Sequence, residues 1–137
     1  MTDIPTLPPV LEDEWMARFI LFSDWIRKSD RSVRPEAFIP HLSGLSVIRH
    51  IHLSEAELWQ IGQEIANKRR PATLYGRADL QAISVIKKSL RIEPTPEPKN
   101  HANITGWPAD KPSQKIIAQE IAAEARFVPK SDSSSLL

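Results

Sequence analysis

The side chains of this chain best suited to chemistry are its four histidines, together with the arginines, lysines and acids scattered around them. His50 and His52 stand two apart, and on a strand they would point to the same face. An H-x-H pair of that kind can fill two positions of a metal site, with His101, His41 or a carboxylate as the third ligand. The plainer reading is a solvated pair at a strand end beside a helix cap. The zinc-protease spacing H-E-x-x-H is absent. A two-histidine phosphoesterase needs two H-x-[ST] motifs, and both His50-Ile51-His52 and His101-Ala102-Asn103 lack the hydroxyl at the third place.

A wider group comprises Arg49, His50, Arg77, Asp79, His101, Lys111 and Lys115. Arg77 precedes Asp79 at an expected helix start, and His101 opens an expected strand that leads toward Lys111, Gln114 and Lys115 at the start of another helix. Helix N-termini favour anions through their free N–H groups and macrodipole. Arg77, His101 and Lys115 are therefore the catalytic candidates for a phosphate-containing or nucleotide substrate, with His101 as general acid or base. A solvated charged surface explains the same residues without chemistry. The P-loop and dinucleotide fingerprints are missing, as is a G-x-S-x-G elbow. The chain has no cysteine, which excludes a disulfide framework, a thiolate nucleophile and any Cys-based zinc or iron–sulfur site. No cofactor is expected, and His50 and His52 remain the only metal candidates.

Trp15, Trp25, Trp59 and Trp107 are numerous beside a single tyrosine. Trp59 lies off the centre of its helix stripe, and Trp107 sits between Gly106 and Pro108 at a strand end. Half-exposed aromatics of this kind anchor protein interfaces, so Trp59 and Trp107 are the partner-binding candidates; closing the edge of a small core is the alternative role.

Several elements must position these residues. Arg18-Phe19-Ile20-Leu21-Phe22 reads as a buried strand and residues 45–51 as a second. Ser54 with Glu57 makes a capping box, Leu53 and Leu58 a hydrophobic staple, and Leu58, Ile61 and Ile65 an apolar stripe that ends before Pro71. Asp79 can cap a helix to about Ser89, with a strand over 80–86 as the competing reading. Residues 90–93 and 101–107 read as strands, and a last helix runs from about 110–113 to Phe127. The order β-β-α-α-β-β-α predicts an α+β domain with a short mixed or antiparallel sheet and about three helices. Prolines 5, 8 and 9 make residues 1–13 an extended arm, able to dock on a partner at low entropic cost. The domain spans 14–128, and 129–137 reads as a disordered polar tail.

His101-Ala102-Asn103-Ile104-Thr105-Gly106-Trp107-Pro108, the helix beginning Gln114-Lys115-Ile116-Ile117, and Leu74-Tyr75-Gly76-Arg77-Ala78-Asp79 upstream together resemble a family of small bacterial proteins with an HAxIxGWP strand followed by an Ala-rich helix. The resemblance covers roughly 16–128. It implies a self-contained domain and a bacterial origin, and it carries over no catalytic residue.

The charge balance is close to neutral, with a formal net charge of +1. A nucleic-acid binder normally carries a basic excess, so Lys68-Arg69-Arg70 and Lys87-Lys88 read as helix C-terminal charges and nucleic acid is not an expected partner. The first residues lack a basic and then apolar leader, and no apolar run reaches membrane-spanning length, so a cytoplasmic chain with no membrane partner is expected. Small size, neutrality, surplus tryptophans and absent catalytic spacing favour a non-catalytic protein-interaction partner: an immunity factor, antitoxin-like protein or accessory subunit of a bacterial operon. A small phosphate- or nucleotide-directed enzyme is the alternative, and whether the chain is an enzyme stays open.

Overall fold

Ser54 begins the best-defined helix, and its local chemistry explains why. Its hydroxyl accepts the Glu57 N–H at 3.1 Å while the Glu57 carboxylate accepts the Ser54 N–H at 2.9 Å, so two orphan donors of the first turn are satisfied. In the computed structural model, which describes residues 7–42, 44–69 and 72–130, this helix is α1, Glu55–Asn67. It buries Leu58, Gly62 and Ala66 against one face of a sheet. Burial of a side chain such as Leu58 contributes about 1.5–3 kcal/mol.

The sheet has six strands: β1 Trp15–Ile20, β2 Leu45–Arg49, β3 Gly76–Gln81, β4 Arg91–Pro94, β5 His101–Thr105 and β6 Arg126–Pro129. Their order is β4-β5-β2-β1-β3-β6, and every neighbouring pair is antiparallel. Strand alternation divides the core into two layers. On one face Ala17, Phe19 and Ile48 meet α1. On the other, Met16, Ile20, Val47, Ala78 and Leu80 meet a short helix α2, Ala82–Ile86, and a longer helix α3, Lys111–Glu124. A 3-10 turn at Pro35–Phe38 completes that second layer by burying Ala37 and Phe38.

The expected α+β class and three helices are present, and the order differs at two places. Gly76–Gln81 is a strand, with the helix confined to Ala82–Ile86, because both neighbours of β3 pair along it and leave no room for a helix there. The Ala-rich helix stops when Ala125 turns extended (φ −74°, ψ 148°), and Arg126–Pro129 then forms the outer strand β6. The folded unit accordingly reaches Lys130, whose N–H donates to the Tyr75 carbonyl. Part of the arm is also tied down, since the Pro8 carbonyl accepts a hydrogen bond from Arg49. Residues 1–6 of the arm and 131–137 of the expected tail lie outside the described residues. No described helix is long and apolar enough to cross a membrane.

Both outer strands are four residues long and end on proline, Pro94 in β4 and Pro129 in β6. The two central strands also depart from regular pairing. β1 pairs with β3 at six positions, but with β2 only at Met16↔Arg49 and Ala17↔Ile48. Beyond Ala17 the two diverge.

Candidate functional site

β3 carries Arg77 and Asp79 on the face that meets α1, because Ala78 and Leu80 occupy the other. The guanidinium donates from Nε to Asp79 Oδ1 at 2.9 Å, from Nη2 to Asp79 Oδ2 at 3.3 Å, and from Nη1 and Nη2 to the two oxygens of Glu55 at 3.0 and 2.7 Å. It also lies 4.7 Å from the ring centre of Trp59, which is tilted against Phe19. His50, just beyond the end of β2, places Nε2 3.0 Å from Asp79 Oδ1. An ionised carboxylate only accepts, so Nε2 holds the proton and Nδ1 is the basic nitrogen. Asn100 clamps this segment by donating to the Arg49 and Ile51 carbonyls on either side of His50, at 2.8 and 2.6 Å.

The electrostatics are those of a closed network. Burial works to raise the Asp79 carboxyl, but hydrogen bonds from His50 and Arg77 outweigh it and hold the group below its usual range. The Arg77 hydrogen bonds hold Glu55 low as well. Burial opposes the Arg77 charge, and its bonds to Glu55 and Asp79 reverse that, so its pKa is raised. The guanidinium already makes four hydrogen bonds, and a phosphate would have to displace a carboxylate to reach it. His50 and Asp79 form a dyad able to accept a proton at Nδ1. Neither lines any of the three main cavities of the described residues.

The depressed Asp79 carboxyl sets the sign of the acid response. A carboxylate whose folded pKa is depressed adds stability that is complete above its unfolded value, about pH 4, and that declines as the pH falls through the folded one. Urea midpoints measured down the acid limb should fall less steeply for Asp79→Asn than for the native chain. Parallel acid limbs would show that Asp79 gains nothing from its partners.

The structure does not bring Arg77, His101 and Lys115 together. His101, Ile48, Ala17 and Asp79 form one row across β5, β2, β1 and β3. Three strand spacings of about 4.8 Å put His101 about 14 Å from Asp79. Lys115 is exposed on α3, on the opposite side of the sheet, and Lys111 is exposed at the start of the same helix. His101 bonds Thr95 Oγ1 through Nδ1 at 2.6 Å, and burial lowers its pKa. His52 occupies a turn with φ 62° and is exposed, so it does not share a strand face with His50. No group of three metal-ligating side chains occurs among the described residues. Arg49 faces the other layer, fully buried, and pairs with Glu14. Of the basic runs, Lys87 and Lys88 both pair with Glu124.

The two partner candidates are also separated. Trp59 roofs the Arg77 network beneath α1, whereas Trp107 packs against the opposite layer and donates Nε1–H to the Ile104 carbonyl at 2.8 Å. Trp107 lines a groove of about 540 Å³ where β5 ends and β2 begins. The groove is bounded by Leu42, Pro108, Lys111 and Gln114, and Leu42 is fully exposed on the tight His41–Gly44 turn. Thr105 Oγ1 and Gln114 Oε1, on side chains that line the same groove, are buried and have no hydrogen-bond partner among the described residues. No family model, curated protein or solved structure matches the chain.

The residues that sequence reasoning does not reach are Glu55, Asn100, Thr105 and Arg18. Glu55 is legible only as a first-turn acid, and nothing in the chain signals Asn100 or Thr105. Arg18 carries a signal, as a lone cation inside the apolar run of β1.

Proposed function

We propose that the chain is a non-catalytic protein-interaction partner, of the immunity, antitoxin-like or accessory-subunit kind, and that it docks through the groove at Trp107. The observation that carries this reading is the composition of that groove. It combines a fully exposed leucine with a half-buried tryptophan in one groove. A solvent-facing leucine beside an indole is the pattern of an interface anchor. The catalytic alternative draws less support, because Arg77 is engaged by two carboxylates, His101 lies three strands away and Lys115 is on α3 across the sheet.

The test is Leu42→Glu. Leu42 makes no core contribution, so the stability of this variant should stay within about 0.5 kcal/mol of the native chain's. The native chain, tagged and expressed in its source cells, should co-elute with a stoichiometric protein that Leu42→Glu fails to retain. Retention by both chains, or by neither, would overturn the assignment of this groove.

A further inference from the structure

Where β1 and β2 diverge, the gap is not closed by apolar side chains. Arg18 reaches into it, donating from Nε to the Ala37 carbonyl at 2.9 Å and from Nη1 to the Ser46 carbonyl at 3.2 Å. Its guanidinium lies 5.4 Å from the ring centre of Trp25. Both acceptors are neutral, no described carboxylate pairs with it, and Nη2 has no hydrogen-bond partner among the described residues. Burial, reinforced by the charge of Arg69, lowers its pKa to about 10.

A crevice of about 350 Å³ opens beside it, lined by Arg18, Arg69, His41 and His101 together with Phe22, Trp25, Ile48 and Ile65. Among the described residues no Asp or Glu lines it. A partly buried guanidinium beside a second one, with no described carboxylate lining the crevice between them, is an unbalanced arrangement. An arginine drawn from water normally has a carboxylate or phosphate as its partner. The volume falls in the usual range for small-molecule sites, and the aromatic and aliphatic walls suit a flat apolar body.

We propose that the crevice between β1 and β2 binds a small organic anion: a carboxylate or phosphate monoester carried on a flat apolar group, with Arg18 and Arg69 holding the charge and Trp25 lying beside the body. The site is independent of the Trp107 groove, although His41 borders both.

The experiment uses the whole chain, labelled for NMR, with the Trp25 indole N–H signal assigned by a Trp25→Phe variant. Benzoate, phenyl phosphate, inorganic phosphate and benzamide are titrated at millimolar concentrations. Benzoate or phenyl phosphate should shift the Trp25 signal saturably and raise the melting temperature. Whichever of the two binds tighter identifies the head group. Benzamide, isosteric with benzoate but uncharged, should bind at least about tenfold more weakly, a difference of about 1.4 kcal/mol. Arg69 is exposed, so Arg69→Gln should fold normally and lose a similar factor in affinity. Arg18→Gln should abolish binding; because Arg18 also bridges two carbonyls, the Arg69→Gln comparison stands even where that variant misfolds. Absence of a saturable shift with either organic anion, equal binding of benzamide, equal binding of inorganic phosphate, or an unchanged affinity in Arg69→Gln would each overturn the proposal.

Discussion

Arg77→Ala is expected to lower the stability of the folded chain by about 3–5 kcal/mol, the usual cost of removing one member of a buried ion pair. The Arg77 side chain is only 4% exposed, and it neutralises Asp79, whose side chain is 10% exposed. Without it a largely buried carboxylate is left with His50 as its remaining partner, and Trp59 loses the cation under its ring. Glu55 makes equally short bonds to Arg77, but it is 67% exposed, so water replaces it readily. Glu55→Gln should therefore cost less than about 1 kcal/mol. A second comparison separates the pair from the packing around it. Arg77→Met combined with Asp79→Leu removes both charges at similar volume, and should recover most of what Arg77→Ala loses. Urea denaturation of the four chains decides the matter. If Glu55→Gln costs as much as Arg77→Ala, the network is held by its exposed member and burial of the Arg77–Asp79 pair is not what sets the cost.

The second large effect is expected at Gly62, where the sign should run against helix propensity. Alanine at an exposed mid-helix position is favoured over glycine by about 1 kcal/mol. At Gly62 an added Cβ would collide with the ring of Phe19, which is 6% exposed and packed between α1 and the rest of β1. Between Leu58 and Ala66 the helix meets the Phe19 ring through a residue that has no side chain. Gly62→Ala should therefore destabilise by about 1–3 kcal/mol through overpacking. The partner change Phe19→Leu takes away the ring atoms concerned, and in that background Gly62→Ala should be less damaging than in the native chain. Thermal unfolding of the two single variants and the double gives the coupling. Additive losses would place the cost in the backbone of α1 rather than in the contact with Phe19.

What the sequence reveals of this architecture depends on whether the information is local. α1 is readable from Ser54, Glu57 and the Leu58–Ile61–Ile65 spacing because a capping box and an apolar stripe lie within a few turns of one another. β3 is not, since Gly76, Ala78 and Asp79 are poor strand formers and Asp79 is a good helix cap. Pairing with β1 and β6 on either side overrides that preference. β6 is hidden in a similar way, because the Ala-rich helical pattern before it runs on without a glycine stop. The Arg77–Asp79–His50 cluster is half visible. Its residue types stand out, but Glu55 and the distance to His101 are set by strand order, which no local pattern encodes. Arg18 is the instructive omission, for a cation in an apolar strand needs acceptors, and here they come from a turn and a neighbouring strand far along the chain.

The proline ends of β4 and β6 bear on how this protein behaves when crowded with copies of itself. An open sheet edge is a template for adding another strand, and hence for aggregation. Each edge here offers only four residues, carries charge at Arg91 and Glu93 or at Arg126, and closes on a residue without an N–H to donate. An incoming strand would find a ladder of about 13 Å, too short and too charged to hold it. Edge-to-edge polymerisation of the sheet thereby finds little to build on.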